Sequence, residues 1–101
     1  MDVAPEELPA VAAASHAVID QAKAAGVFVF GGGLSEEVAP VLVDGNRGVA
    51  TGTYPETAQL DGGFTIIDVP SREEAVEWAA KIAISCRCPQ ELREFQYDPL
   101  V

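Results

Sequence analysis

Leu8, Val11, Ser15, Val18, Ile19 and Ala22 recur at three- and four-residue steps, drawing one stripe at helical period. The spacing predicts a helix over residues 6–25. Pro5 and Pro9 suit only a first turn, so its regular part starts nearer Pro9. Gly26 follows as a left-handed stop. Residues 27–30, Val-Phe-Val-Phe, form an unbroken apolar run ahead of Gly31-Gly32-Gly33 and predict a strand buried on both faces. Residues 40–43 and 48–51 flank Asp44-Gly45-Asn46-Arg47, a hairpin signal with its turn chemistry at Asp44-Gly45-Asn46. A loop over 52–61 leads to a strand over 63–69, in which Phe64 and Ile66 face one side and Ile67 and Val69 the other. Pro70-Ser71 opens a helix to about residue 85, with Ser71 and Glu74 as a capping box. Ala75, Trp78, Ala79, Ile82 and Cys86 line its inner stripe. Glu73, Glu77 and Lys81 lie opposite, with Glu77 and Lys81 ordered for an ion pair. A more polar strand over 92–97, near a sheet edge, closes the pattern. Helix, strand, hairpin, strand, helix, strand is an α+β order, and its sheet, apolar on both faces, needs a partner for one of them.

Composition narrows this further. The chain has 101 residues, enough for one domain over 1–101. A globule of that size buries only roughly 60–65% of its unfolded surface, so dimerisation would help it. Acids outnumber bases 16 to 6, for a net charge of −10, which repels phosphate backbones and argues against a nucleic-acid partner. No apolar run reaches the ~20 residues a membrane span requires. The N-terminal residues carry no positive charge ahead of an apolar stretch, so a secretory signal is not expected and a cytoplasmic location is.

Candidate chemistry is sparse. Cys86 and Cys88 lack the further ligands of a zinc site, and the acidic residues show no metal-ligand spacing, so neither a metal nor a cofactor is expected. An extended Cys-Arg-Cys would set the two side chains about 6.5–7 Å apart and strain a disulfide, which favours structural, reduced thiols over a redox or regulatory pair. His16 is the single histidine, about 110° from the centre of its helix stripe, with Asp20 one turn on. A histidine–carboxylate pair at a pocket rim makes a general base, whereas a solvent-side histidine with an incidental neighbour does nothing. The run Gly31-Gly32-Gly33 has neither G-x-G-x-x-G nor G-K-[ST] spacing, so it reads as a sharp exit or bulge from its strand. Trp78 reads as core or dimer interface rather than as a ligand platform.

The segment Leu60-Asp61-Gly62-Gly63-Phe64-Thr65-Ile66-Ile67-Asp68-Val69-Pro70-Ser71-Arg72-Glu73-Glu74-Ala75-Val76-Glu77-Trp78-Ala79 closely resembles the strand-to-helix block of the YCII-related family, in the branch named after a D-G-P-F motif. The stretches Ala24-Ala25-Gly26-Val27, Gly31-Gly32-Gly33-Leu34 and Cys86-Arg87-Cys88-Pro89 are similar to that branch as well. The resemblance implies a ferredoxin-like fold: an antiparallel sheet with two helices, pairing sheet to sheet as a dimeric α+β barrel. It also implies a bacterial setting, since some relatives sit beside sigma-factor genes. Some relatives are muconolactone-isomerase-like enzymes that use a His–Asp pair at a cleft, while most have no assigned reaction. This chain departs from the pattern. The D-G-P-F position falls on Thr51-Gly52-Thr53-Tyr54, so Thr51 replaces the acid. His16 lies one residue beyond the family's helix histidine, whose place Ser15 takes. Relatives begin with a strand before the first helix, whereas this sequence begins almost at the helix, so either the chain is truncated relative to them or its sheet closes without that strand.

Two functional classes follow. One is a dimeric α+β module that has lost His–Asp catalysis, since a threonine hydroxyl cannot hold an imidazolium as a carboxylate does. The other is a small-molecule enzyme or binding protein, isomerase- or lyase-like on small aromatic or lactone acids, with His16 as general base and Asp20, Thr51, Tyr54 and Asp61 as further contacts.

Overall fold

The computed structural model describes residues 3–101, which contain two α-helices, four short strands and two 3₁₀ turns. The architecture is α+β with antiparallel strands, consistent with a ferredoxin-like fold. No strand precedes the first helix among the described residues. The chain divides into two compact units: the residues up to Val29 together with Ile67–Val101, and Phe30–Ile66.

In the first unit a 3₁₀ turn, Pro5–Glu7, leads into α1, Leu8–Ala24. Both prolines sit in opening turns, where a missing N–H costs nothing. α1 stops as its sequence predicts. Gly26 takes φ 75°, its N–H donates to the Lys23 carbonyl at 3.0 Å, and Val27 N–H donates to Ala22 at 3.0 Å. These bonds satisfy carbonyls that the helix end leaves free. α2, Arg72–Cys86, begins at Ser71, whose Oγ accepts from Glu74 N–H at 3.2 Å. The two helices pack on each other. Val11 and Ala22 of α1 are buried, as is Ser85 of α2, whose hydroxyl donates to the Ile82 carbonyl at 2.9 Å. The expected pair between Glu77 and Lys81 does not form. The Lys81 ammonium lies over the Trp78 ring, 4.6 Å from its centroid, because an exposed lysine gains from covering an aromatic face about as much as from an exposed carboxylate.

β1, Phe28–Gly33, pairs with β4, Gly63–Ile67. Asp68 N–H to Val27 O at 2.8 Å and Leu34 N–H to Gly62 O at 3.0 Å bracket the ladder and make it antiparallel. Gly31-Gly32-Gly33 is part of this strand, not an exit or bulge from it. A Cβ on Gly63 would lie 2.5 Å from the Gly32 carbonyl oxygen and 2.9 Å from Gly33 Cα, so the glycine at 63 lets the two backbones close up. Burial of β1 on both faces is not achieved within one chain. Val29 and Phe30, on opposite faces, are 58% and 57% exposed.

β2, Val41–Val43, and β3, Val49–Thr51, form the expected hairpin, with Val41 opposite Thr51 and Val43 opposite Val49. It makes its own two-stranded sheet rather than joining β1 and β4. Asp44 Oδ1 accepts from Asn46 and Gly48 N–H, both at 2.8 Å, and the left-handed residue of the turn is Arg47. The predicted strand over residues 92–97 is absent: those residues are irregular, with Phe95 and Tyr97 exposed. Strand propensity there meets no hydrogen-bonding neighbour, and a strand exists only as part of a ladder.

Candidate functional site

His16 and Asp20 both lie on α1, one turn apart as the sequence spacing requires, and both are exposed. No hydrogen bond or ion pair joins His16 to Asp20 among the described residues. The flanking positions explain the orientation. Ser15, Val18 and Ile19 take the inner stripe and are half-buried, which turns His16 outward.

Thr51, Tyr54 and Asp61 belong to the other unit. Thr51 ends β3 and is exposed, and Gly52 behind it takes φ 116° and donates its N–H to the Pro40 carbonyl at 3.0 Å. Tyr54 precedes the 3₁₀ turn Pro55–Thr57, and its carbonyl accepts from Thr57 N–H at 3.1 Å and Thr53 Oγ1 at 2.9 Å. That carbonyl anchors the loop, while the Tyr54 side chain is exposed. Asp61 is exposed just before Gly62, whose carbonyl closes the β1–β4 ladder. Within this unit each of the three side chains meets solvent.

A concavity in the first unit lies between α1 and α2, a shallow groove of about 490 Å³. Ala10, Ala14 and Ala17 floor one wall, with Gln21, Lys81 and Arg87 among its polar residues. This groove was not foreseen from the sequence; the recurrence of Ala10, Ala14 and Ala17 at three- and four-residue steps was the available signal. His16 does not line it. Its cations are already engaged: Lys81 covers Trp78, and Arg87 pairs with Glu7. Ser85 has spent its proton on Ile82. The groove offers apolar contact and little chemistry.

The C-terminal end of α2 holds a tighter arrangement. Cys86 and Cys88 are free, half-buried thiols with sulfurs 3.2 Å apart. Gln90 Nε2 donates to Cys86 Sγ at 3.1 Å. The hydrogen bond with Cys86 raises the Cys88 thiol above its ordinary value, and partial burial adds to the effect. Extended geometry, which would have separated the side chains, does not apply: Arg87 between them is left-handed, at φ 58° and ψ 35°.

A family model described as the YCII-related domain matches residues 2–85. The chain belongs to the YCII-related family. Its helices, β strands and hairpin all lie within the match apart from Cys86, the last residue of α2, whereas the Cys-Arg-Cys turn and the irregular tail lie beyond it. No curated protein matches the chain. Among the described residues no cluster of three or more His, Cys, Asp or Glu could hold a metal ion, and no helix is long and apolar enough to cross a membrane.

Proposed function

We propose that this YCII-related chain works as a homodimeric α+β module, of the dimeric barrel type, that does not perform His–Asp catalysis. One observation carries the reading on the catalytic side: His16 projects from α1 into solvent, and no carboxylate among the described residues is bonded to it. A general base needs a partner within hydrogen-bond reach, or a pocket that brings a substrate proton to it. Thr51 at the motif's acid position supports the same view, since a neutral hydroxyl does not stabilise an imidazolium. On the assembly side, the exposed apolar side chains of β1 and β4 favour a second copy as partner. A two-fold axis would set the same patch against itself, with the acids at the rim.

The test is a thermal-shift screen against small aromatic acids and lactones, followed by assay of any hit with wild type and His16→Ala. The expected outcome is an unchanged melting temperature and no turnover. A ligand present at about 100 times its Kd would stabilise the native state by about 2.7 kcal/mol, a shift such a screen resolves. Turnover that His16→Ala abolishes while circular dichroism stays unchanged would establish the enzyme reading instead.

A further inference from the structure

The last residue of α2 and the second residue after it are the chain's two cysteines, and the backbone between them decides what they can do. Arg87 sits at φ 58° and ψ 35°, close to the mirror image of a helical residue, while its N–H and that of Cys88 both donate to the Ala83 carbonyl. Helix dimensions put Cα atoms two residues apart at about 5.4 Å, and a mirror image preserves that distance. Disulfides span Cα separations of roughly 4.4–6.8 Å, most often near 5.5–6 Å. The side chains use this closeness, because the sulfurs already face each other at 3.2 Å. The turn is tied down on both sides. Arg87 pairs with Glu7, and Gln90 Nε2 bonds to both Cys86 Sγ at 3.1 Å and the Cys88 carbonyl at 3.2 Å. Both thiols are only half-buried, so a small reagent can reach them.

We propose that Cys86 and Cys88 form a dithiol redox site that closes reversibly to an intramolecular disulfide by exchange with a small-molecule disulfide of the glutathione type. The Cys86 thiolate attacks one sulfur of the small disulfide. A protein–glutathione sulfur–sulfur bond forms, the original one breaks, and the first glutathione leaves as thiolate and takes up a proton. Cys88, whose sulfur lies 3.2 Å away, then loses its proton and attacks Cys86 Sγ, expelling the second glutathione. The chain gives up two electrons and two protons, and the small disulfide is reduced to two thiols. Gln90, donating to Cys86 Sγ at 3.1 Å, holds that sulfur beside Cys88 for the second step.

The test uses the reduced full chain in glutathione buffers of graded ratio, quenched by alkylation and read by mass spectrometry. The expected product lacks two hydrogens, retains no glutathione, and gives a Cys86–Cys88 bridge on peptide mapping. Its formation rate should not depend on protein concentration. Cys86→Ala and Cys88→Ala should each stop at a stable glutathione adduct. Closure in the folded chain should outpace closure in urea by roughly tenfold, because the fold holds the thiols at high effective concentration. Thiols that stay open to alkylation at every ratio would overturn the proposal. So would persistent glutathione adducts on wild type, disulfides between chains, or equal closure in urea and in buffer.

Discussion

Replacing Phe30 by alanine should weaken self-association. Phe30 and Phe64 face each other across β1 and β4 with ring centroids 5.8 Å apart, yet remain 57% and 51% exposed. Fully burying a phenylalanine contributes about 1.5–3 kcal/mol, so covering the remaining half of one ring is worth about 1 kcal/mol. A two-fold interface counts each ring twice, so Phe30→Ala should remove about 2 kcal/mol of dimer stability, a roughly 30-fold rise in Kd. The net charge of −10 on each copy opposes pairing, so sedimentation should be run at about 0.15 M salt, where the screening length is about 8 Å. Phe95 is the control: it is 78% exposed but lies in the irregular tail, and Phe95→Ala should leave Kd unchanged. A wild-type chain that sediments as a monomer at micromolar concentration would refute the reasoning. Equal effects of Phe30→Ala and Phe95→Ala would show that the wrong face had been chosen.

Three further outcomes follow from local geometry. Ser71→Ala removes the hydrogen bond to Glu74 N–H at the start of α2 and should cost about 1 kcal/mol, lowering Tm by about 4–8 °C, with Ser71→Asp close to neutral; an unchanged Tm in the alanine variant would contradict the capping role. Gly63→Ala sets a methyl group against the backbone of Gly32 and Gly33, which cannot yield as a side chain would, and should destabilise by more than about 1 kcal/mol. Gly62→Ala, with open space around the added carbon, should be far milder, and equal Tm values would dismiss the close-approach argument. Cys88 should alkylate at higher pH in wild type than in Cys86→Ala, because the hydrogen bond with Cys86 is the main cause of its raised value. The fold favours the protonated thiol, so this contribution to stability is present at neutral pH and lost as pH climbs through the raised value. An identical alkylation profile in both proteins would remove that cause.

The elements that local chemistry specifies were legible in the sequence. The stripe of α1, Gly26 as its stop, Ser71 as the start of α2, and Asp44 at the head of the hairpin each depend on a few neighbouring residues, and each stands where the pattern puts it. The failures share a different cause, since they concern what a segment meets rather than what it is. Residues 92–97 have the composition of a strand and no strand to pair with, and Gly31-Gly32-Gly33 carries turn composition but extends because Gly63 opposite leaves room for it. Lys81 found the Trp78 ring rather than Glu77 for the same reason. For the candidate site, sequence spacing correctly placed His16 and Asp20 a turn apart, but rotation about the helix axis is set by which neighbours the core takes, and Val18 and Ile19 took it. The Cys-Arg-Cys turn shows the limit most sharply, because one dihedral pair at Arg87 converts two separated thiols into facing ones, and arginine gives no warning of a left-handed conformation as glycine does. That same dependence on encounter applies to the apolar faces of β1. The composition of Val27-Phe28-Val29-Phe30 demands cover on both sides, and a single chain leaves Val29 and Phe30 open. For a chain with so few buried side chains of its own, a second copy that supplies the missing cover would give those residues the environment their sequence calls for.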